Sequence, residues 1–554
     1  MANYTGTSSQ ETSTSVACNV DTRYYPHLLL LPAAIILTIL ASLRRRKSFK
    51  KHVWGGRPGL VVPIDFLGID HHRLASMFVF GAATGSIIVL VASLGLQGKN
   101  AWERVFFVVG IAIECAFLYY PFFACLTTYH KIIGAMMGLP YCAIFFCLYL
   151  TSTFQKCKNN SSFLTKALVL TEMPIIICYV FIMAKFIFVL YWEIKNYGIR
   201  GEQFFPGDNK RTSPQVKLVR PWLMEHVKNI FKPKPREYGR VEFYLRKFYN
   251  PQKDFKFSTE TLSVMMICGI SLYSIAIFLV YFLCEILNNP AGQLMDGYLG
   301  SLLAGVILTT AVCALSLVRF MENHKNNMVK MFKGDKSFIP RNINVSQFMI
   351  AIGLRYHSFQ IGYFLWGFVF NWIVISILCL LLHMLKFGTF WHLIHAFITT
   401  SGVFLGVAFF FRCCLLVASV TIFRDRNYSR DVISINNRNV YLVFSYFWFF
   451  VGLPMGVFSA IFRILKIMAV GLLMLPRIDH SILPDGFQWL DPGYNAYVCY
   501  LHVQAAFRNP VLRVFCQILI DDHETRNNRN DPKWTRSPPA PSGSLHSPWH
   551  ATHN

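Results

Sequence analysis

Charge is scarce in this chain, and negative charge scarcer. Of 554 residues only 15% are Asp, Glu, Lys or Arg, with 28 acidic against 53 basic. Since 54% of the residues are hydrophobic, most of the core must face lipid or other helices, which excludes an ordinary water-soluble domain. The signatures of nucleotide-driven and hydrolytic chemistry are missing too. There is no Gly-x-x-x-x-Gly-Lys-Ser/Thr loop, no Gly-x-Ser-x-Gly elbow and no His-Glu-x-x-His helix, so the chain is expected to be non-enzymatic and cofactor-free. His392 and His395 share a helix face with His383 nearby, but no carboxylate or thiol stands at ligand spacing, which favours interfacial histidines over a metal site. Residues 1–25 are polar and Ser/Thr-rich, without the basic-then-apolar order of a cleaved signal.

What the chain has instead is a series of long apolar runs. The net charge of +25 would suggest nucleic acid in a soluble protein, but Lys and Arg cluster between these runs, as loops on the cytoplasmic side do. No nucleic-acid partner is expected. Runs at 28–43, 74–96, 105–126, 132–154, 167–191, 262–286, 298–317, 360–385 and 396–423 give about nine crossings, most of them near the ~20 residues a span needs. Arg44, Arg45, Arg46, Lys47, Lys50 and Lys51 follow the first run, so the N-terminus is assigned outside.

The expected fold is therefore all-α and polytopic. An extracellular segment 1–27 precedes spans one to five within 28–192, a basic cytoplasmic loop 193–257 and spans six to nine within 258–423. A cytoplasmic link and an intramembrane element occupy 424–475, then a cytoplasmic region 476–521 and a Pro/Ser/Asn-rich disordered tail 522–554. The run 440–461 has basic residues at both ends and Gly452, Leu453, Pro454, Met455 and Gly456 in its middle. Because Pro and Gly break helices, it reads as a re-entrant hairpin that keeps the C-terminus cytoplasmic, with Gly452, Pro454 and Gly456 on the ligand path. The competing reading is a kinked tenth span.

Several side chains stand out against this frame. Glu114 and Arg412 lie deep in their spans and are expected to pair, against the alternative that Arg412 snorkels alone. Such sparse intramembrane charge argues against an ion-coupled transporter and for an apolar solute. Asn3, Asn159 and Asn160 begin glycosylation triplets that fall outside in this scheme, and Cys18 and Cys157 are the two outer cysteines, candidates for a disulfide on their compartment alone, since sequence does not give their separation. Residues 216–231, with Trp222, Leu223, Ile230 and Phe231, form a basic amphipathic helix suited to the inner leaflet or to calmodulin, against the plain reading of a solvated helix. Residues 511–519 form a second amphipathic stretch, with Val511, Val514, Phe515, Ile518 and Leu519.

Three motifs then converge. Gly56-Arg57-Pro58-Gly59-Leu60-Val61-Val62-Pro63-Ile64-Asp65-Phe66-Leu67 resembles a signature of the vitamin A transporter family, the plasma-membrane receptors for retinol-binding protein first named for stimulation by retinoic acid. Tyr249-Asn250-Pro251-Gln252-Lys253-Asp254-Phe255 resembles that family's Tyr-x-Pro-Gln-x-x-Phe element, and Leu490-Asp491-Pro492-Gly493-Tyr494 is similar to a third. The resemblance covers about 51–521. It implies a homodimeric, multi-pass plasma-membrane receptor that takes retinol from its extracellular carrier, without an energy source, through a lipophilic cleft opening to the bilayer. It also implies calmodulin as a cytosolic partner, for which 216–231 and 511–519 are the candidate contacts. The family's long outer arm is reduced here to 287–297, leaving Asn289, Pro290 and Tyr298 for carrier docking, while Gly300 and Gly305 depart from the arm's Tyr-x-x-x-Gly-x-Gly spacing. The alternatives are a retinoid channel that no longer docks the carrier, and a lipid-modifying membrane enzyme using His71, His72 or the His392 and His395 pair.

Overall fold

In hydrocarbon every backbone N–H and C=O must find its partner within the chain, so long apolar runs become helices. A computed structural model describes residues 25–43, 61–64, 72–96, 101–128, 130–159, 163–200, 221–232, 255–288, 296–340, 348–386, 395, 399, 402, 406, 409–410, 413–417 and 438–530. Among these residues the chain is helical, without strands. The helices are α1 (Tyr25–Leu43), α2 (Arg73–Leu96), α3 (Ala101–Thr127), α4 (Lys131–Asn159), α5 (Phe163–Arg200), α6 (Pro221–Phe231) and α7 (Thr259–Asn288). They continue with α8 (Asp296–Phe332), α9 (Phe348–Gly353), α10 (Tyr356–Lys386), α11 (Arg438–Met474), α12 (Pro492–Arg508) and α13 (Pro510–Asn530).

Seven stretches are long and apolar enough to cross a membrane: Arg73–Leu90, Phe106–Thr127, Lys131–Thr153, Val169–Asn196, Thr259–Asn288, Gly297–Phe332 and Phe348–Met384. A shorter apolar helix, His27–Leu43, precedes them. These coincide with the first eight runs read from the sequence, while the ninth, 396–423, falls mostly outside the described residues.

The hairpin expected at 440–461 is corrected. α11 runs unbroken through Gly452, Leu453, Pro454, Met455 and Gly456 over its 37 residues. Proline loses one backbone hydrogen bond and crowds the preceding turn, but a lipid-embedded helix has no water to take over the freed carbonyls, and neighbouring groups compensate. Pro32, Pro121, Pro140 and Pro174 likewise sit inside α1, α3, α4 and α5.

The chain divides into two compact units. The first comprises 1–66, 70–202 and 259–306. In it α4 packs along α5 and α3, α2 touches α3, α5 and α7, and α1 lies on α3. Close approach depends on small residues at helical spacing: a Cβ on Gly134 would stand 2.3 Å from the Cys125 carbonyl oxygen, and one on Gly138 2.6 Å from the Phe186 ring. Aromatic rings fill the centre, with Phe122 5.0 Å from Tyr141 and 5.4 Å from Phe145 between ring centroids. Their hydroxyls are satisfied locally: Tyr141 donates to the Leu118 carbonyl at 2.8 Å, and the Tyr119 hydroxyl lies 3.3 Å from those of Tyr179 and Ser86.

The first motif is anchored in this unit. Tyr120 and Thr127, both on α3, donate to the carbonyls of Val61 and Val62, and Val61 and Ile64 pack on the core. The second unit comprises 67–69, 203–258 and 307–554. In it α12 packs on α9 and α10, α10 touches α11, and α6 lies against α13.

Candidate functional site

The third motif organises the second unit by capping a helix. A 3-10 turn at Gln488–Leu490 leads into α12, where Asp491 is the N-cap and its Oδ1 accepts from the backbone N–H groups of Gly493 and Tyr494, both at 3.1 Å. Pro492 fits the first helical position, where no N–H is needed. Gly493 packs closely: a Cβ there would stand 3.1 Å from Ile478 and 3.2 Å from the Tyr363 ring, so those side chains would have to give way. Tyr494 is buried and donates to the Phe338 carbonyl at 3.4 Å. Burial, and then the nearby Asp479, Asp485 and Asp491, push its phenol up to about 12.

From that cap, α12 presents Tyr497, Tyr500 and Gln504 on one buried face. Tyr500 stacks on Tyr356 with centroids 4.1 Å apart and planes 11° apart. Its hydroxyl lies 2.9 Å from Ser258 Oγ and accepts from Gln504 Nε2 at 2.8 Å. Tyr497 accepts from Asn327 Nδ2 at 3.2 Å. The His324 ring sits among Phe257, Phe320, Tyr497 and Tyr500, with centroids 5.9–6.3 Å away. Ser258, three residues beyond the Phe255 that ends the second motif, thereby meets the helix that the third motif begins.

A buried ion pair stands beside these rings. The Asp479 carboxylate is 0% exposed and accepts from Arg477 twice, Nε to Oδ1 at 3.1 Å and a terminal nitrogen to Oδ2 at 2.6 Å. Asn323 Nδ2 donates to Asp479 Oδ2 at 2.9 Å and lies 2.8 Å from His480 Nε2, which accepts when the ring carries its proton on Nδ1. A two-pronged guanidinium contact with an added amide donor is the geometry that makes a buried carboxylate tolerable.

α10 supplies the remaining wall. Its buried face carries Tyr356, Gln360, Phe364, Phe368 and Asn371 at helical spacing. Gln360 Nε2 donates to the Pro476 carbonyl at 3.1 Å, and Gly367 lets Pro476 approach to where a Cβ would meet its ring nitrogen at 2.8 Å. Asn371, at the midpoint of α10, is 1% exposed, and neither its Nδ2 nor its Oδ1 has a hydrogen-bond partner. Sequence reasoning passed over Asn371 because only charged residues were weighed within the apolar runs; its carboxamide in the centre of such a run was the available signal.

The family model described as "Retinol binding protein receptor" matches residues 15–309 and 293–538. The chain belongs to that receptor family. The mouse "Stimulated by retinoic acid gene 6 protein-like" is 25% identical over 573 residues, spanning 94% of this chain and 89% of its own length. The cattle "Receptor for retinol uptake STRA6" is 21% identical over 574 residues, 93% of this chain and 83% of its own length. The human protein of the same name is 21% identical over 560 residues, 88% and 79% respectively.

In this member of the receptor family the residues singled out from sequence are spread over both units. Gly452, Pro454 and Gly456 lie inside the continuous α11. Asn289, Pro290, Arg412, Asn3, Asn160 and Cys18 fall outside the described residues, as do His71 and His392. Tyr298 is on the first turn of α8 and 45% exposed. Glu114 meets His27 Nδ1 at 2.6 Å, while Arg412, its expected partner, is among the residues outside the description. Asn159 ends α4, and Cys157 lies in its last turn.

The two amphipathic stretches find each other. α6 buries His226 and Ile230, leaves Leu223 partly buried and packs on α13, which buries Val514 and Gln517. Trp222 lies in the first turn of α6, and Phe231 is 56% exposed at its end.

Proposed function

We propose that this protein is a plasma-membrane receptor and transporter that mediates cellular uptake of retinol from extracellular retinol-binding protein, by energy-independent passage along a lipophilic path. The observation that carries the reading is the family match across 15–309 and 293–538, among relatives named as receptors for retinol uptake. Seven long apolar helices are consistent with it, since they give an apolar solute a protein route beside lipid. Retinol is mostly hydrocarbon, and at ~0.8 kcal/mol per methylene its exposure to water costs on the order of 10 kcal/mol. A path that keeps it out of water is therefore enough, and retinol would emerge chemically unchanged. The reading includes a homodimer and outer N-glycans, and calmodulin would need to part α6 from α13 to use either helix.

A second reading is favoured by the connection between α7 and α8, which spans only Pro290 and a few neighbours before Asp296. A channel that accepts free retinol without docking the carrier needs no more outer chain than that. The test is uptake of labelled retinol by cells expressing the full chain, supplied on loaded carrier and as free retinol, with and without ATP depletion. Carrier-dependent uptake that survives depletion, with unchanged retinol recovered, is the expected result. Uptake from free retinol alone selects the channel; ligand turnover without accumulation selects an enzyme.

A further inference from the structure

The carboxamide of Asn371 is 1% exposed and unpaired at both polar atoms, and the buried hydroxyl of Ser376, five residues on along α10, is unpaired as well. Burying a donor and an acceptor without partners is unfavourable, and the penalty is not relieved by lipid, because the side chain is 1% exposed within this chain alone. Gln360, on the same face, has already committed its Nε2 to the Pro476 carbonyl. Asn371 keeps a donor and an acceptor side by side on one planar group. Toward the start of α10 the nearest buried positions are apolar, Phe364, Leu365 and Phe368, which suits a hydrocarbon body with its polar end at Asn371.

We infer that Asn371 is the polar anchor for the hydroxyl of a long apolar alcohol, which accepts from Nδ2 and donates to Oδ1 once the packing of α10 opens to admit it. A hydroxyl is the smallest group that satisfies both atoms of a carboxamide at once. An ether satisfies one, and a hydrocarbon neither. The inference rests on the retinol reading above and adds to it the residue that tells an alcohol from its hydroxyl-free analogue.

The test uses the full chain in lipid nanodiscs, titrated with retinol, retinyl methyl ether and the hydrocarbon analogue lacking oxygen. Wild type is expected to bind retinol about five- to tenfold more tightly than the hydrocarbon, with the ether between them, as one to two neutral hydrogen bonds would give. Asn371→Leu should bring the three ligands to within about twofold of one another with hydrocarbon affinity kept, and Asn371→Gln should restore part of the preference. Unchanged discrimination in Asn371→Leu overturns the inference while leaving the retinol reading intact. Parallel loss of all three ligands in both variants also overturns it, since that is the signature of a packing role. A wild-type protein that binds none of the three overturns both.

Discussion

The two units handle buried polarity in different ways. In the unit built on α2 to α5 the buried polar atoms are mostly hydroxyls, which turn back to carbonyls of their own helix, as Thr84 does, or to neighbouring hydroxyls, as Tyr119 does. In the unit built on α9 to α13 they include a carboxylate, a guanidinium, carboxamides and an imidazole, with partners both close by, Arg477 with Asp479, and far along the chain, Asn323 with Asp479 and Ser258 with Tyr500. The lesson is that the first unit is held by shape and the second by matched polar groups. Changes in volume should damage the one, and changes in hydrogen bonding the other.

The sharpest way to break this contrast is at Asp479. Asp479→Ala strands the Arg477 guanidinium and the Asn323 amide, at an expected cost of about 3–5 kcal/mol in thermal unfolding of the detergent-solubilised protein. A loss under about 1 kcal/mol would mean the second unit is not held by its polar groups. Gly138→Leu tests the other side. With Phe186 2.6 Å from the new Cβ, overpacking should cost about 1–3 kcal/mol, and a neutral result would remove shape as the organising force of the first unit.

Smaller effects refine the picture. Asp491→Ala removes the cap of α12 and should cost about 1 kcal/mol, with Asp491→Ser restoring most of it; equal losses in the two variants would argue against capping. The smallest concerns His502, whose pKa is held below its ordinary value of 6.5 by burial and then by Lys336. A depressed histidine binds its proton more readily when unfolded, so its contribution is present above pH 6.5 and is lost as pH falls from there through the folded value. His502→Gln should flatten that acid-side slope in a melting series. A slope of the same steepness would assign it to another group.

How much of this was legible in the sequence depended on the kind of signal. The first eight apolar helices were, because hydrophobic length is set by the bilayer and needs no tertiary context. α11 was not, because Pro454 was judged by the rule for helices in water, while Pro121 and Pro174 show that such prolines stay helical here. The third motif could be recognised as a string of residues, but its work as a cap with a Gly493 that admits Ile478 and Tyr363 needed coordinates. The pairing of α6 with α13 was hidden for a different reason: each amphipathic face was visible, but nothing local says which surface covers it. Asn371 shows the limit most plainly, since a polar atom without a partner is a property of its surroundings and not of its letter.

Near its end α11 leaves residues 463–470 uncovered on every side, two turns in which Arg463 and Lys466 alternate with Ile464, Leu465, Ile467 and Met468. Such a collar finds its own level in a bilayer: the cations hold to the phosphates while the aliphatic side chains sink toward the acyl chains. In a bilayer this collar would hold the far end of a rod about 55 Å long at one height, and any tilt would pivot about it.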